Sequence, residues 1–481
     1  MREKYIDVDP PRGNRQAFRI ALLGDFSGRS TRLAAMRPKL DGVRPVSVDA
    51  GNFEEVMDRM GVEVRLGENG EAPALRFSTM DDFHPDEIYA RATIFHAVRT
   101  ARKELKNPVA FVQARAAAAP AAERPPLPAG ASLLDAIVDA SATAPESRHR
   151  DLWDEAIQRI VAPHALPSPD PQQEEVRAQL DSVASEMMRI ILSHPDFQSI
   201  EAAWRSVFLL VRHLETNENL SIELIDISRE ELLADVLSAA DIRSTGLWRL
   251  LVDEARETPG AVPWSISAAL YTFGGSARDF EVLERIAGIA KAAGAPFIAE
   301  AHPGLAGCES IAEEPDPDDW KKPLDSVRAS GWQRLRSLPE ARWIGLAMPR
   351  FLLRLPYGAA TSSIDSFDFE EMPEPDHNRY LWGNPAVACV CMLGETFEIE
   401  GPGMRPGSVF QLEGVPIHCF RSNEATPPAE IWMTERLAES LLDRGLMPLA
   451  SVRNIDAVQF ISFRSIAQPA WPLAGRWNAN G

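Results

Sequence analysis

The segment that most limits how this chain can fold is a stretch of low complexity at residues 114–130, which consists almost entirely of Ala, Pro, Arg and Glu. Such a composition cannot bury enough apolar surface to offset the conformational entropy lost on ordering, and it is typical of a linker. The chain of 481 residues is therefore predicted to be built in separate parts, with a linker at residues 114–130. Its length allows two to four domains, because a domain usually holds about 100–200 residues.

On both sides of the linker, apolar runs of strand length alternate with helical patterns. Before it, residues 18–23 (FRIALL) are typical of a buried strand. After it, the same reasoning predicts strands and intervening helices at 221–227, 229–238, 264–271, 277–293, 297–301 and 343–348. Strands separated by helices indicate a mostly parallel or mixed sheet. The predicted fold class is α/β, with mixed sheets covered by helices.

Two helices are predicted in the first part of the chain. Residues 53–60 form a helix that Asn52 can cap, and residues 88–105 form one long helix that closes before Pro108. We expect residues 18–108 to pack against the domain that follows residue 174.

Charge and composition exclude several classes of function. The chain has 50 basic and 70 acidic residues, a net charge of −20, which argues against binding to nucleic acid and against docking on anionic membranes. No run reaches the ~18 apolar residues of a membrane helix, and the N-terminus lacks the apolar core of a signal peptide. The four cysteines are too sparse for a disulfide scaffold. These features predict a protein of the reducing cytoplasm.

The sequence contains no established catalytic or phosphate-binding motif. Residues 24–28 form a Gly-x-x-x-Gly turn that lacks the lysine of a phosphate loop, and a plain turn is favoured. Cys389 and Cys391 are the nearest approach to a metal pair; in a strand over 386–393 the two thiols would share a face, but buried core cysteines are favoured. Adjacent acidic pairs and scattered histidines are interpreted as solvated charge. No catalytic, cofactor-binding or metal-binding residue is predicted, and an enzyme is not expected.

A short amphipathic helix is predicted directly after the linker, at residues 132–138 (SLLDAIV). Ser132 can cap it, and its apolar side chains share one face. Two interpretations remain open: the helix docks on its own domain, or it is presented to the groove of a partner.

Several motifs before the linker resemble the small subunit (TssB/VipA/ImpB) of the contractile sheath of bacterial type VI secretion. They occur in the order of that family within residues 18–108. These motifs are 18–29 (FRIALLGDFSGR), 44–56 (RPVSVDAGNFEEV), 80–85 (MDDFHP) and 102–108 (RKELKNP).

The chain after the linker, from residue 131 to about 466, resembles the large sheath subunit (TssC/VipB/ImpC). Its motifs are 194–205 (HPDFQSIEAAWR), 349–358 (PRFLLRLPYG), 367–371 (FDFEE), 380–384 (YLWGN) and 445–449 (GLMPL). The two resemblances cover nearly the whole chain outside the linker.

The resemblance implies a structural role and a sheath-like, two-part protomer. In this family, paired subunits stack helically around an inner tube, share strands with their neighbours, and drive the tube outward on contraction. The implied partners are other sheath subunits or further copies of this chain, the inner tube protein, the baseplate and the AAA+ ATPase that recycles contracted sheath. Neither a cofactor nor nucleic acid binding nor membrane insertion is implied.

The resemblance also assigns a candidate contact for the ATPase. The N-terminal helix of the large subunit is the docking element in the family, and residues 132–138 align with it. The implied contact residues are Leu133, Leu134, Ile137 and Val138.

The resemblance predicts a division into four regions: a small-subunit-like domain at 1–113, the linker at 114–130, a helical arm at 131–173 and a large-subunit-like core at 174–481. Compared with the family, the small-subunit half ends early, near Pro108, and the large-subunit half ends soon after Arg464. In the family, the region beyond Arg464 supplies strands to neighbouring protomers, so its absence puts strand sharing and ordinary polymerisation in doubt. Two hypotheses follow. The chain is a fused sheath protomer or a sheath-like accessory; alternatively, it is a non-polymerising module that engages the ATPase or the baseplate.

Overall fold

The computed structural model describes residues 17–32, 42–66, 73–105, 171–257, 262–320, 324–420 and 425–478. The predicted linker at 114–130 and the predicted helix at 132–138 lie outside the described residues.

A nine-stranded mixed sheet forms the centre of the molecule, which confirms the predicted fold class. Across the sheet, the order is β11-β13-β12-β8-β7-β6-β1-β5-β2, while β3 pairs with β4 and β9 pairs with β10 outside it. The strands are β1 (Phe18–Gly24), β2 (Val46–Val48), β3 (Val62–Arg65), β4 (Ala74–Phe77), β5 (Leu220–Asp226), β6 (Ile266–Phe273), β7 (Phe297–Ala301), β8 (Ile344–Met348), β9 (Phe351–Arg354), β10 (Leu381–Gly383), β11 (Gln411–Glu413), β12 (Met447–Ser451) and β13 (Ala457–Phe460).

Strand β1 lies inside the sheet, between two strands that follow it by about 200 residues. It pairs in parallel with β5 from Phe18↔Leu220 to Gly24↔Asp226. On its other side it pairs in parallel with β6, beginning at Ile20↔Ile266. For the described residues between 18 and 105, packing against the later part of the chain is observed, in the form of a shared sheet.

Helices cover both faces of this sheet. They are α1 (Phe53–Met60), α2 (Pro85–Arg91), α3 (His96–Leu105), α4 (Pro171–Leu192), α5 (Pro195–His213), α6 (Arg229–Ser238), α7 (Gly246–Trp248), α8 (Glu254–Glu257), α9 (Ala277–Ala293), α10 (Ser326–Arg336), α11 (Pro385–Glu400) and α12 (Glu435–Asp443), with a π-helix at Arg249–Asp253 between α7 and α8. Among the described helices, none is both long and apolar enough to cross a membrane.

Two hydrophobic cores lie on opposite faces of the sheet. Successive side chains of a strand point to opposite faces, and β1 follows this rule: Ile20 and Leu22 contribute to the core beneath α5 and α11, whereas Ala21 and Leu23 contribute to the core beneath α6 and α9. All four side chains are fully buried. Their burial on both faces explains why this strand is a continuous apolar run rather than an alternating one.

The predicted single helix over 88–105 is wrong, because the structure breaks it at Ala92. This residue has an extended backbone (φ −65°, ψ 129°) and separates α2 from a short 3₁₀ turn and α3. The guanidinium of Arg99 donates hydrogen bonds to the carbonyl oxygens of Tyr89 and Ala92. Side-chain donors that satisfy the last carbonyls of a helix allow it to end without proline or glycine.

The interpretation of residues 386–393 as a strand is also wrong, since they belong to helix α11. Both Cys389 and Cys391 are fully buried, as favoured. Two residues along a helix differ by about 200° in direction. The thiols therefore do not share a face.

Helix α1 has the predicted bounds, but the Asn52 side chain does not cap it. Its Oδ1 instead accepts a hydrogen bond from the backbone N–H of Asp49, 2.9 Å away. The side chain stabilises the turn before the helix rather than the helix itself.

Candidate interface between the two segments

The contacts between the early and late parts of the chain form a candidate functional surface. We name the described residues between 17 and 105 the N-segment and those between 171 and 478 the C-segment. The pairing of β1 with β5 and β6 joins the two segments through the backbone, and side chains on both sides of β1 add further contacts.

A carboxylate of the C-segment holds the turn that follows β1. Asp226, at the end of β5, accepts hydrogen bonds from the backbone N–H of Phe26 (2.9 Å) and of Ser27 (3.0 Å), and from the Ser27 hydroxyl (2.7 Å). Burial of the carboxyl group, and then the nearby charge of Asp25, raise the pKa of Asp226. A side chain of the protein thus occupies the N–H groups of this turn, which supports the plain-turn interpretation.

Arg29, in the same turn, pairs with a carboxylate of the C-segment. Its side chain is only 2% exposed and binds Glu231 in a bidentate manner, with Nε–Oε2 at 2.7 Å and Nη2–Oε1 at 2.8 Å. Glu231 also accepts the backbone N–H of Ser228 in the capping box of α6. Burial opposes ionisation of Glu231, but Arg29 and Ser228 outweigh it and lower the pKa of the carboxyl group. The paired charges fix the turn against the start of this helix.

Arg19 is the single charged residue within the apolar run of β1. Its guanidinium donates to Glu223 of β5, with Nη2–Oε2 at 2.6 Å, and lies 3.7 Å from the centroid of the Trp264 ring. A cation over an indole face gains further electrostatic stabilisation. One side chain of the N-segment therefore contacts C-segment residues on both sides of β1.

Aromatic rings fill the core under this turn. Trp204 of α5 is fully buried and packs edge-on against Phe26 (6.0 Å between centroids) and Phe53 (5.6 Å). Phe53 also packs against Phe208 at 5.5 Å. Edge-to-face aromatic pairs add about 0.5–1.5 kcal/mol each beyond their area burial. The ring cluster therefore joins α1 of the N-segment to α5 of the C-segment.

A second contact region lies at the end of the N-segment. Asp86 of α2 accepts hydrogen bonds from the backbone N–H of Asp365 (3.0 Å) and of Ser366 (2.9 Å). Arg102 of α3 donates to the carbonyl oxygen of Ser366 and pairs with Asp181 of α4 at 2.9 Å. These ion pairs and backbone contacts hold α2 and α3 against the C-segment.

A buried ion cluster supports this region from within the C-segment. Arg354 binds Glu201 (Nε–Oε1 2.7 Å) and Glu371 (Nη1–Oε2 2.7 Å), and all three side chains are less than 10% exposed. Arg205 donates to the same Glu201 oxygen at 2.7 Å, and the backbone N–H of Tyr357 donates to Glu371 at 2.7 Å. The cluster joins α5, β9 and the loop that carries Glu371.

The charges in this cluster stabilise one another. Burial opposes the charge of Arg354, but Glu201 and Glu371 outweigh it and raise the pKa of the guanidinium. Burial likewise opposes ionisation of Glu201, but Arg354 and Arg205 lower its pKa. Three motifs that are far apart in the sequence, 194–205, 349–358 and 367–371, supply these groups. The shared charge cluster gives a physical reason for Glu201, Arg205, Arg354 and Glu371 within these motifs.

A second polar cluster lies at the carboxyl ends of the parallel strands. Arg350 donates to Glu430 (Nη2–Oε1 2.6 Å), and His377 Nε2 lies 2.9 Å from the same oxygen. Burial opposes ionisation of Glu430, but His377 and Arg350 lower its pKa to about 2. Burial raises the pKa of Glu300 to about 7 although Arg350 opposes the shift. Glu300 and Arg350 line a cleft of about 460 Å³, so a carboxyl group that titrates near neutrality faces it.

The residues that the structure brings together here are not among the site residues predicted from the sequence. Leu133, Leu134, Ile137 and Val138 lie outside the described residues. The interface residues Arg29, Trp204 and Arg354 all stand inside the quoted motifs, but no local spacing links them. Their signal in the sequence was their presence within motifs that resemble the sheath subunits.

The fold and this interface define a class: a two-part α/β protein in which a strand of one part completes the sheet of the other. Comparison with known proteins agrees with that division. Residues 174–467 match the VipB family, described as EvpB/VC_A0108, tail sheath N-terminal domain. Residues 14–120 match the family described as Type VI secretion system, VipA, VC_A0107 or Hcp2. Because the first match covers more than half of the chain, the protein belongs to the type VI secretion tail-sheath family.

A curated relative supports the same assignment. The chain is 33% identical over 309 residues to the type VI secretion system sheath protein TssC1 of Pseudomonas aeruginosa. The match covers 62% of this chain and 62% of the relative. The predicted resemblance to both sheath subunits within one chain is therefore confirmed.

Proposed function

We propose that the chain acts as a fused sheath protomer, or as a sheath-like accessory, of a type VI secretion apparatus. The observation that carries this proposal is the parallel pairing of β1 with both β5 and β6. In separate subunits, the same pairing would be a contact between two chains. Covalent linkage converts it into an intramolecular contact, which raises the effective concentration of the partners and fixes their ratio.

The proposed partners follow from the family. They are other sheath subunits or further copies of this chain, the inner tube protein that the sheath would surround, the baseplate and the recycling AAA+ ATPase, all in the cytoplasm. The net charge of −20 requires basic patches on the neighbours if the chain packs into a helical polymer. Assembly should accordingly depend on the ionic strength of the buffer.

Negative-stain microscopy tests the assembly directly. The purified chain is examined alone and after mixing with separately expressed sheath subunits, tube protein and baseplate proteins. Tubes, or incorporation of the chain into tubes, are expected. Failure to polymerise and to co-sediment with any sheath or baseplate protein would reject the proposal.

The alternative is a non-polymerising module that engages the ATPase or the baseplate. Its support is the spacing of Leu133, Leu134, Ile137 and Val138, which would place four apolar side chains on one face of the helix predicted from the sequence. A pull-down with the AAA+ ATPase compares the wild type with Leu134→Asp, and with Asp139→Asn, directly after the predicted helix, as the control. If Leu134→Asp abolishes capture by the ATPase and Asp139→Asn preserves it, the result supports docking of the ATPase at this helix. A permanently monomeric protein that is still captured favours the alternative over the sheath protomer.

A further inference from the structure

Three potential metal ligands converge between two helices of the C-segment. His213 is the last residue of α5, while Cys391 and Glu395 lie one turn apart on α11. Their ligand atoms all lie within 4.8 Å of one another. His213 Nδ1 is 3.3 Å from Glu395 Oε1, and Cys391 Sγ is 3.7 Å from the same oxygen.

We propose that His213, Cys391 and Glu395 bind a zinc ion, with solvent as the fourth ligand. Zinc bonds of about 2.0–2.3 Å to nitrogen, oxygen and sulfur in a tetrahedron place neighbouring ligand atoms about 3.3–3.7 Å apart. The two measured separations to the carboxylate oxygen fall within this range. The imidazole and the thiol lie within 4.8 Å of each other, so the third edge needs an approach of at most about 1.3 Å.

The chemistry of the three groups selects the metal. An imidazole, a thiolate and a carboxylate form a mixed donor set that suits zinc, whereas calcium and magnesium prefer oxygen ligands alone. Glu398, one turn further along α11, adds a second carboxylate to the region, and its Oε1 accepts the backbone N–H of Glu215 at 2.6 Å. The local excess of acidic groups reduces the electrostatic cost of placing a dication here.

The burial of the ligands permits entry of an ion. Cys391 is fully buried, but the side chains of His213 and Glu395 remain 31% and 23% exposed. An ion can therefore reach the imidazole and carboxylate from solvent before it meets the thiol at the inner side of the site. The thiol gives up its proton to solvent when the metal–sulfur bond forms, so binding adds the ion and removes one proton.

The position of the site suggests what a bound ion would stabilise. Directly beside it, α5 and α11 approach closely: a Cβ added to Gly394 would lie 2.8 Å from the Leu214 side chain. Further along α11, Phe397 stacks on Phe18 of β1, with ring centroids 5.0 Å apart. Zinc would therefore clamp the helix pair that supports the shared strand, and an ion that binds only the folded state stabilises it.

Cobalt and zinc binding test the proposal in untagged full-length protein. All proteins tested carry Cys419→Ser, because the exposed thiol of Cys419 could otherwise bind the added metal. With Co²⁺, we expect one equivalent to bind with a thiolate-to-metal charge-transfer band in the near ultraviolet and tetrahedral visible bands. With Zn²⁺, competition against a chromophoric chelator gives the affinity, and thermal unfolding gives the increase in Tm.

Matched variants separate the site from unrelated metal binding. Cys391→Ser should abolish the charge-transfer band and weaken zinc binding at least tenfold, whereas Cys389→Ser, which removes an equally buried thiol from the same helix, should preserve both. His213→Gln, at a half-exposed position that should still fold, should weaken zinc binding to a similar extent. A cobalt spectrum without the charge-transfer band, or zinc affinity that His213→Gln leaves unchanged, would overturn the proposal.

Discussion

The indole nitrogen of Trp204 donates a hydrogen bond of 2.8 Å to the carbonyl oxygen of Phe26, although the two residues are 178 positions apart in the chain. This bond joins α5 of the C-segment to the turn after β1 of the N-segment. Both partners are fully buried, so removal of either group leaves the other unsatisfied. The relationship shows how closely the folding of the two segments is coupled.

Replacement of Trp204 should strongly destabilise the protein. We expect Trp204→Ala to lower the free energy of unfolding by about 3–5 kcal/mol, because it creates a cavity between Phe26 and Phe53. Trp204→Phe should cost less because it keeps most of the ring contacts. Chemical denaturation followed by circular dichroism measures both effects, with Trp471→Phe, at a 43% exposed position, as the control. Equal stability of Trp204→Ala and Trp471→Phe would contradict the prediction.

The buried cluster around Arg354 should behave as a coupled unit. Arg354→Met leaves Glu201 and Glu371 without their shared partner, and we expect a loss of about 3–5 kcal/mol. Adding Glu201→Gln and Glu371→Gln removes the uncompensated charges, so the triple variant should recover part of that loss. Denaturation midpoints of the wild type, single and triple variants provide the measurement. A triple variant less stable than Arg354→Met would argue against charge coupling.

Gly28 should tolerate no side chain. It has a φ of +78°, and a Cβ added there would lie 1.7 Å from the carbonyl oxygen of Glu63. Gly28→Ala should therefore displace the turn that carries Arg29 and lower Tm by several degrees. Gly403→Ala is the control, because the space that its Cβ would occupy is open, with no neighbouring atom within 4 Å. Similar melting temperatures for the two variants would refute this account.

Glu300 should make stability depend on pH between about 4.5 and 7. Burial raises its pKa from 4.5 to about 7, so the folded state binds more protons than the unfolded state in this window. The contribution of Glu300 to the free energy of unfolding then falls as pH rises, by up to about 3 kcal/mol above pH 7. Glu300→Gln should remove this slope, measured by urea denaturation at pH 5, 6, 7 and 8. The control variant Glu55→Gln, on the exposed face of α1, should retain the pH dependence of stability. If the stability of Glu300→Gln varies with pH in parallel with that of the wild type, Glu300 does not cause the dependence.

Proteolysis within the linker should not separate the two parts. The composition of residues 114–130 predicts early cleavage there, by trypsin after Arg115 and by a glutamate-specific protease after Glu123. The fragments should still co-elute in native gel filtration, because β1 remains between β5 and β6. They should separate only in denaturant. Earlier cleavage inside residues 18–108 would count against the predicted boundary, and separation under native conditions would count against the interface.

Local patterns were sufficient for much of the secondary structure. Helices α6 and α9 and strand β7 have the predicted bounds, because their apolar periodicity agrees with the packing that they make. One failure occurred where a distant contact overrides a local preference, and another where the local pattern was ambiguous. Nothing near Ala92 in the sequence indicates that Arg99 will satisfy the carbonyl groups of α2. The apolar run around Cys389 fits a strand or a buried helix equally well by periodicity.

The sequence by itself determined the family and the α/β class, because motifs and periodicity are local properties of the chain. From composition it also predicts a linker at residues 114–130. The tertiary structure alone decided that β1 enters the sheet between β5 and β6. It also decided that Arg29 pairs with Glu231, and that His213 meets Cys391 and Glu395. Such pairings depend on which strands become neighbours and on how helices cross them. A strand pattern specifies which faces are buried but not which strand lies beside it, so these contacts emerge only from the packed fold.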